Sequence, residues 1–116
     1  ESEISLQTAI AIAVYCEERG AKASISNIHV NIWFGDYSKQ EMSLRVLEGL
    51  GQEISTAVYI GDSPNDSPMF GHFPLSVGVR SVLKYKDILA NRPVYVTDGD
   101  GSQGFVELVD YLISTR

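Results

Sequence analysis

A chain of 116 residues with 44% hydrophobic and 21% charged residues amounts to one domain's worth or less, of ordinary globular composition. The net charge of −6 argues against nucleic acid, whose binding rests on Lys and Arg neutralising phosphates. The most apolar stretch, Ala9–Val14, is far short of the ~20 residues of a membrane span and lacks the flanks of a signal peptide. A small anionic substrate stays open, because a bound cation reverses the local field. The single cysteine, Cys16, excludes an intrachain disulfide. It falls among apolar residues, so it reads as a small buried hydrophobe in a reducing, cytoplasmic setting. The first residue is Glu rather than Met, and the chain is therefore expected to be processed or cut from something longer.

Ile4, Leu6, Ala9, Ile10, Ala13 and Val14 recur at three- and four-residue spacings, which predicts an amphipathic helix stopped at Gly20. The period then shortens to two. Ile28, Val30, Ile32 and Phe34 alternate with Asn27, His29, Asn31 and Trp33, which predicts a strand with one apolar face, ended by Gly35 and Asp36. Ser38 followed by Glu41 is a capping-box pattern and starts a helix at Lys39. Met42, Leu44, Val46, Leu47 and Leu50 supply its buried face, and Gly51 ends it.

Ala57–Ile60 is a short apolar run, suited to a parallel strand covered on both sides. A loop over Gly61–Pro64 leads to a short helix at Asn65–Phe70, a strand at Leu75–Val79 and a helix at Val82–Leu89. A third strand follows at Val94–Thr97. The closing helix, Phe105–Ile113, carries Phe105, Leu108, Val109 and Leu112 on one face. From Lys39 onward this alternation predicts an α/β fold with a parallel sheet and right-handed crossovers. Residues 1–35 follow a different plan and are expected to form another lobe, with 36–116 as the core.

In open parallel sheets, ligands bind beyond the carboxyl ends of the strands. Asp62 sits at such an end, and Asp66 follows four residues later across a loop containing Ser63 and Asn65. Two carboxylates and an amide oxygen on a tight turn suit a hard cation such as Mg2+. Asp is also an ordinary turn and cap residue, so spacing alone leaves both readings open. The whole string Tyr59-Ile60-Gly61-Asp62-Ser63-Pro64-Asn65-Asp66-Ser67-Pro68-Met69-Phe70 resembles the fourth motif of the haloacid-dehalogenase-like superfamily. The form is that of its sugar-phosphatase-type members with the larger cap. Tyr37-Ser38-Lys39 before an apolar helix resembles the third motif. Leu75–Val79 and Val94–Thr97 resemble the next two core strands, and Ser26–Phe34 resembles the end of the cap.

The resemblance implies a Rossmann-like core and a Mg2+-dependent phosphohydrolase acting through an aspartyl-phosphate on a small phosphorylated metabolite, a sugar phosphate. It implies catalytic roles for Lys39, Asp62 and Asp66. Lys39 would neutralise the nucleophile and the phosphate. Asp62 would bind Mg2+ directly, and Asp66 would hold a metal-bound water or orient Lys39. Ser63 and Asn65 would support the metal loop and the phosphate.

The family's first motif, Asp-x-Asp-x-Thr, has no match before Lys39, and neither does its second. The expectation that follows is of a C-terminal portion only: the end of an α+β cap plus the later half of the core, without the nucleophile and inactive alone. Its partners would be the N-terminal half of the same parent or a second copy paired through the open edge at Ala57–Ile60. The alternatives are a non-catalytic domain that binds cation or phosphate, and a circularly permuted enzyme using Asp98. The permuted reading rests on Thr97-Asp98-Gly99-Asp100-Gly101-Ser102, which imitates the first motif after a strand. A closing turn is the simpler account, since turns select Asp and Gly. His29 and His72 read as surface or loop residues. Trp33 and Tyr37 flank the turn into Lys39, with Trp33 packed.

Overall fold

The computed structural model describes residues 4–26 and 29–115. They form two compact units, Glu1–Tyr37 and Ser38–Arg116. In the first, α1 (Leu6–Glu17) starts at Ser5, whose Oγ accepts the Thr8 N–H at 3.1 Å. Ala9 and Ala13, one turn apart, are its buried residues. Cys16 is a free thiol and half-buried, rather than fully enclosed.

β1 (Lys22–Ile25) pairs antiparallel with β2 (Val30–Trp33), Lys22 opposite Trp33 and Ile25 opposite Val30. The alternation in the sequence predicts β2. It misses β1, whose apolar face is only Ala23 and Ile25. Residues 27 and 28 of the expected strand lie outside the described residues. The Ser26 N–H donates to the His29 carbonyl at 2.8 Å and ties the strand ends. Beyond β2, Gly35 takes φ 116°, and a Cβ there would come within 3.1 Å of the Tyr37 ring, so glycine answers both demands. The Trp33 and Tyr37 rings lie 6.3 Å apart, Trp33 half-buried and Tyr37 exposed.

In the second unit, α2 (Lys39–Gly49) begins where the capping pattern places it, with the Glu41 N–H on Ser38 Oγ at 3.1 Å. It ends at Gly51, φ 67°, with the Gln52 N–H returning to the Leu47 carbonyl at 2.9 Å. Of its expected buried face, Leu44 and Leu47 are half-buried, while Met42, Val46 and Leu50 are exposed. The helix packs along α3 (Ser67–His72) on one side, too narrow a contact to cover all five.

β3 (Val58–Gly61), β4 (Leu75–Gly78) and β5 (Tyr95–Val96) form a parallel sheet in that order, Val58 beside Leu75 and Val77 beside Tyr95. A 3-10 turn, Pro64–Asp66, precedes α3. The helix expected at Val82–Leu89 is instead a 3-10 stretch, Arg80–Tyr85. Its buried residues, Val82 and Tyr85, are three apart, the repeat of that tighter helix.

α4 (Gly101–Ser114) starts four residues before Phe105. Gly101 at φ 52° and Gly104 hide this start in the sequence; a Cβ at Gly104 would sit 2.6 Å from the Gly99 carbonyl oxygen. The core holds Met69, Phe70, Phe73, Val77, Val79, Val82 and Tyr85. A groove of about 510 Å³ separates Val58, Leu75 and Tyr95 of the sheet from Leu108 and Leu112 of α4.

Helices and strands thus run from Leu6 to Ser114. The expected partial sheet, a later half-core preceded by the end of a cap, is corrected to an α/β arrangement built along nearly the whole chain.

Candidate functional site

β3 delivers Asp62 to the carboxyl edge of the sheet, and the 3-10 turn that follows folds Asp66 back over the strand it has just left. This return needs Gly61: a Cβ there would lie 2.5 Å from Asp66 Cγ. The Asp66 carboxylate is thereby pressed against the strand backbone. Its Oδ2 accepts the Asp62 N–H at 2.9 Å and the Ser63 N–H at 3.3 Å. Its Oδ1 accepts the Lys39 ammonium at 2.8 Å and the Tyr59 hydroxyl. The Lys39 amine also lies 3.3 Å from the Tyr59 oxygen.

Lys39 comes from the first turn of α2, 27 positions from Asp66. The Ser38 cap fixes where that turn begins. Burial opposes the charged form of Asp66. The bonds from Lys39, Tyr59 and the Asp62 N–H, with the charge of Lys39, more than offset it, and the carboxyl titrates below its ordinary value. For Tyr59, burial and then the bond to Asp66 push the phenol well above its usual range, so it stays a neutral donor.

The structure brings Lys39 and Asp66 into one ion pair and sets Asp62 beside them. Asp62 is half-buried, and no group among the described residues donates to its carboxylate. Ser63 is 2% exposed, and its hydroxyl donates to Asn65 Oδ1 at 2.6 Å. It braces the loop from inside. The Asp62 and Ser63 N–H groups at this turn are thus met by Asp66 itself.

Asp98 lies apart, exposed on the turn after β5, with β4 between its strand and β3. Its N–H and that of Gly99 are held by the Glu107 carboxylate of α4 at 3.0 to 3.2 Å. That is a braced closing turn, and the permuted reading is dropped. His29 and His72 are exposed.

Tyr59 escapes the sequence reading, which treats it as one residue of an apolar run. The signal lies in the strand period. Tyr59 and Gly61 share a face, so a polar tip two residues before a bare backbone position faces whatever folds over it.

The chain matches the haloacid dehalogenase-like hydrolases over residues 2–90. It belongs to that family. Among solved structures it is similar to yhjK, a haloacid dehalogenase-like hydrolase protein from Bacillus subtilis, at 25% identity and a TM-score of 0.58, covering 96% of this chain and 42% of that one. Protein 0175 of Thermoplasma acidophilum gives 18% identity and a TM-score of 0.67 over 94% and 47% of the two chains. SMU.1108c of Streptococcus mutans UA159 gives 17% and 0.70 over 93% and 40%. The chain therefore spans less than half the length of these relatives. No curated protein matches it.

The family match corrects the fragment reading. The resemblance is not confined to a C-terminal portion: matched residues begin at position 2 and include the segment before Lys39. The expectation of a segment without a nucleophile, inactive alone, followed from the unmatched first motif, and with the family match reaching back to position 2 it is withdrawn. So are the partners inferred from it, an N-terminal half of the same parent and a homodimer through the β3 edge.

Hydrolases of this family generally require Mg2+. Among the described residues no three His, Cys, Asp or Glu gather as a metal cluster. The donor set nonetheless suits a cation that keeps most of its water, since Mg2+ is commonly held by one or two carboxylates plus substrate phosphate. Among the described residues the Asp62 carboxylate receives no donor, whereas Asp66 has both oxygens engaged. No helix of the described residues is long and apolar enough to cross a membrane.

Proposed function

We propose that the carboxyl edge of β3 binds the phosphoryl group and divalent cation of a small phosphate ester, and that the protein is a Mg2+-dependent phosphohydrolase. The observation that carries this is the Lys39 ammonium, held 2.8 Å from Asp66 beside an Asp62 carboxylate that receives no donor among the described residues. Lys39 supplies a fixed positive charge for the phosphoryl oxygens. Asp62 holds Mg2+, whose charge would neutralise those oxygens further. Asp66 keeps Lys39 in place, and Ser63 with Asn65 keeps the loop in shape. A sugar phosphate is the substrate class closest to the motif's form. The unit before Lys39 stands as a cap-type lobe with its boundary near residue 35.

Isothermal titration with Mg2+ and inorganic phosphate tests the reading. Phosphate binding is expected to require Mg2+. Lys39→Ala is expected to weaken phosphate binding at least tenfold, and Asp62→Asn to weaken Mg2+ binding by a similar factor. Phosphate affinity indifferent to both changes would overturn it.

A further inference from the structure

The Tyr59 hydroxyl is a group beside Lys39 and Asp66 to which the family resemblance assigns no part. Its ring is wedged between Phe70, at 6.0 Å edge-on, and Phe73, at 5.5 Å. Two contacts hold the oxygen: it donates to Asp66 Oδ1 and lies 3.3 Å from the Lys39 amine. Lys39, Asp66 and Tyr59 thus close a triangle from three different elements.

A lysine ammonium has three donors on a freely rotating head and is normally a point charge without direction. In this triangle one N–H goes to Asp66 and a second faces the Tyr59 oxygen. The head cannot then rotate without breaking a bond, and one N–H is left over with a set direction. We infer that Tyr59 is a positioning residue, whose hydroxyl fixes the rotation of the Lys39 ammonium and turns a mobile charge into a directed donor for a phosphoryl oxygen. The inference rests on the phosphoryl-binding role given to Lys39 above. Its advantage is preorganisation: a donor already aimed does not have to be ordered when the ligand arrives.

The experiment uses Tyr59→Phe, which keeps the ring and deletes the hydroxyl, with inorganic phosphate in the presence of Mg2+ as the probe. Three- to tenfold weaker phosphate binding is expected, with Mg2+ affinity unchanged. A readout that mere stability would not move is the 1H–15N signal of the Lys39 ammonium. It should be resolved in the wild-type protein through slow hydrogen exchange, and lost in Tyr59→Phe.

Phe73→Leu, which loosens the ring but spares the hydroxyl, should weaken phosphate less than Tyr59→Phe does. An equal effect of the two changes, or a parallel loss of Mg2+ affinity, would show packing rather than positioning and overturn the inference. Loss of phosphate binding in Lys39→Ala with no effect of Tyr59→Phe overturns it alone, whereas indifference to Lys39→Ala overturns the functional reading beneath it. Should Tyr59→Phe not fold, the absence of a protected Lys39 signal in the wild type would be decisive against it.

Discussion

At Asp66 a single carboxylate gathers donors from Lys39, Tyr59, Asp62 and Ser63, and its neighbours depend on that arrangement. Its titration below the ordinary value of 3.8 has a thermodynamic consequence. A carboxyl with a depressed folded value stabilises the fold in full above its unfolded value and loses that contribution as the pH falls through the folded one. Stability measured by urea unfolding is therefore expected to drop as the pH is lowered below about 3.8. Lys39→Met, which keeps the stem and removes the charge, should flatten that decline; an unchanged acid limb would argue against the ion pair as its source. Gly61→Ala tests the same carboxylate sterically. With a new methyl 2.5 Å from Asp66 Cγ, either the strand or the turn must shift. A cost of about 1–3 kcal/mol is expected from such overpacking, together with weakened phosphate binding, since Lys39 loses its anchor.

Ser38 governs the element that carries Lys39. Ser38→Ala removes the acceptor for the Glu41 N–H and is expected to cost about 1 kcal/mol, read as a lower denaturation midpoint with an unchanged slope. A change above that range would mean the cap also holds the loop before it. This start was legible in the sequence because a cap is a local device: Ser at one position and Glu three later need no knowledge of the rest of the fold. The Gly61–Asp66 turn was legible for the same reason, as a dense string of specific residues. What escaped was set by distant contacts. The stretch at Arg80–Tyr85 has the composition of an α-helix, and burial of Val82 and Tyr85 draws it into a 3-10 coil. The exposed side of α2 looks apolar in sequence, yet only Leu44 and Leu47 find partial cover. Tyr59 passed as a strand residue because its partners lie 20 positions before it and 7 after.

Across the whole molecule the two units are built to different standards. Among the described residues, the buried apolar ones of Glu1–Tyr37 are Ala9, Ala13 and Ala21, whereas those of Ser38–Arg116 include Met69, Phe70, Phe73 and Tyr85. Apolar burial scales with area, and a few methyl groups stabilise little. Amides of β1 and β2 are therefore expected to exchange with deuterium well before those of β3 and β4; equal protection would contradict this reading. Met69→Ala, at a residue 1% exposed, is expected to cost about 2–5 kcal/mol by equilibrium unfolding. The long reach of the Lys39–Asp66 pair bears on the order of folding. The contacts of Asp66 with Asp62 and Ser63 close within five residues, so they form at the pace of a local turn. The contact with Lys39 must close a loop of 27 positions and waits for α2 to dock. A refolding chain should therefore hold an assembled Gly61–Asp66 turn before the lysine arrives. In stopped-flow refolding, Gly61→Ala is expected to slow the folding limb, while Lys39→Met mainly speeds unfolding.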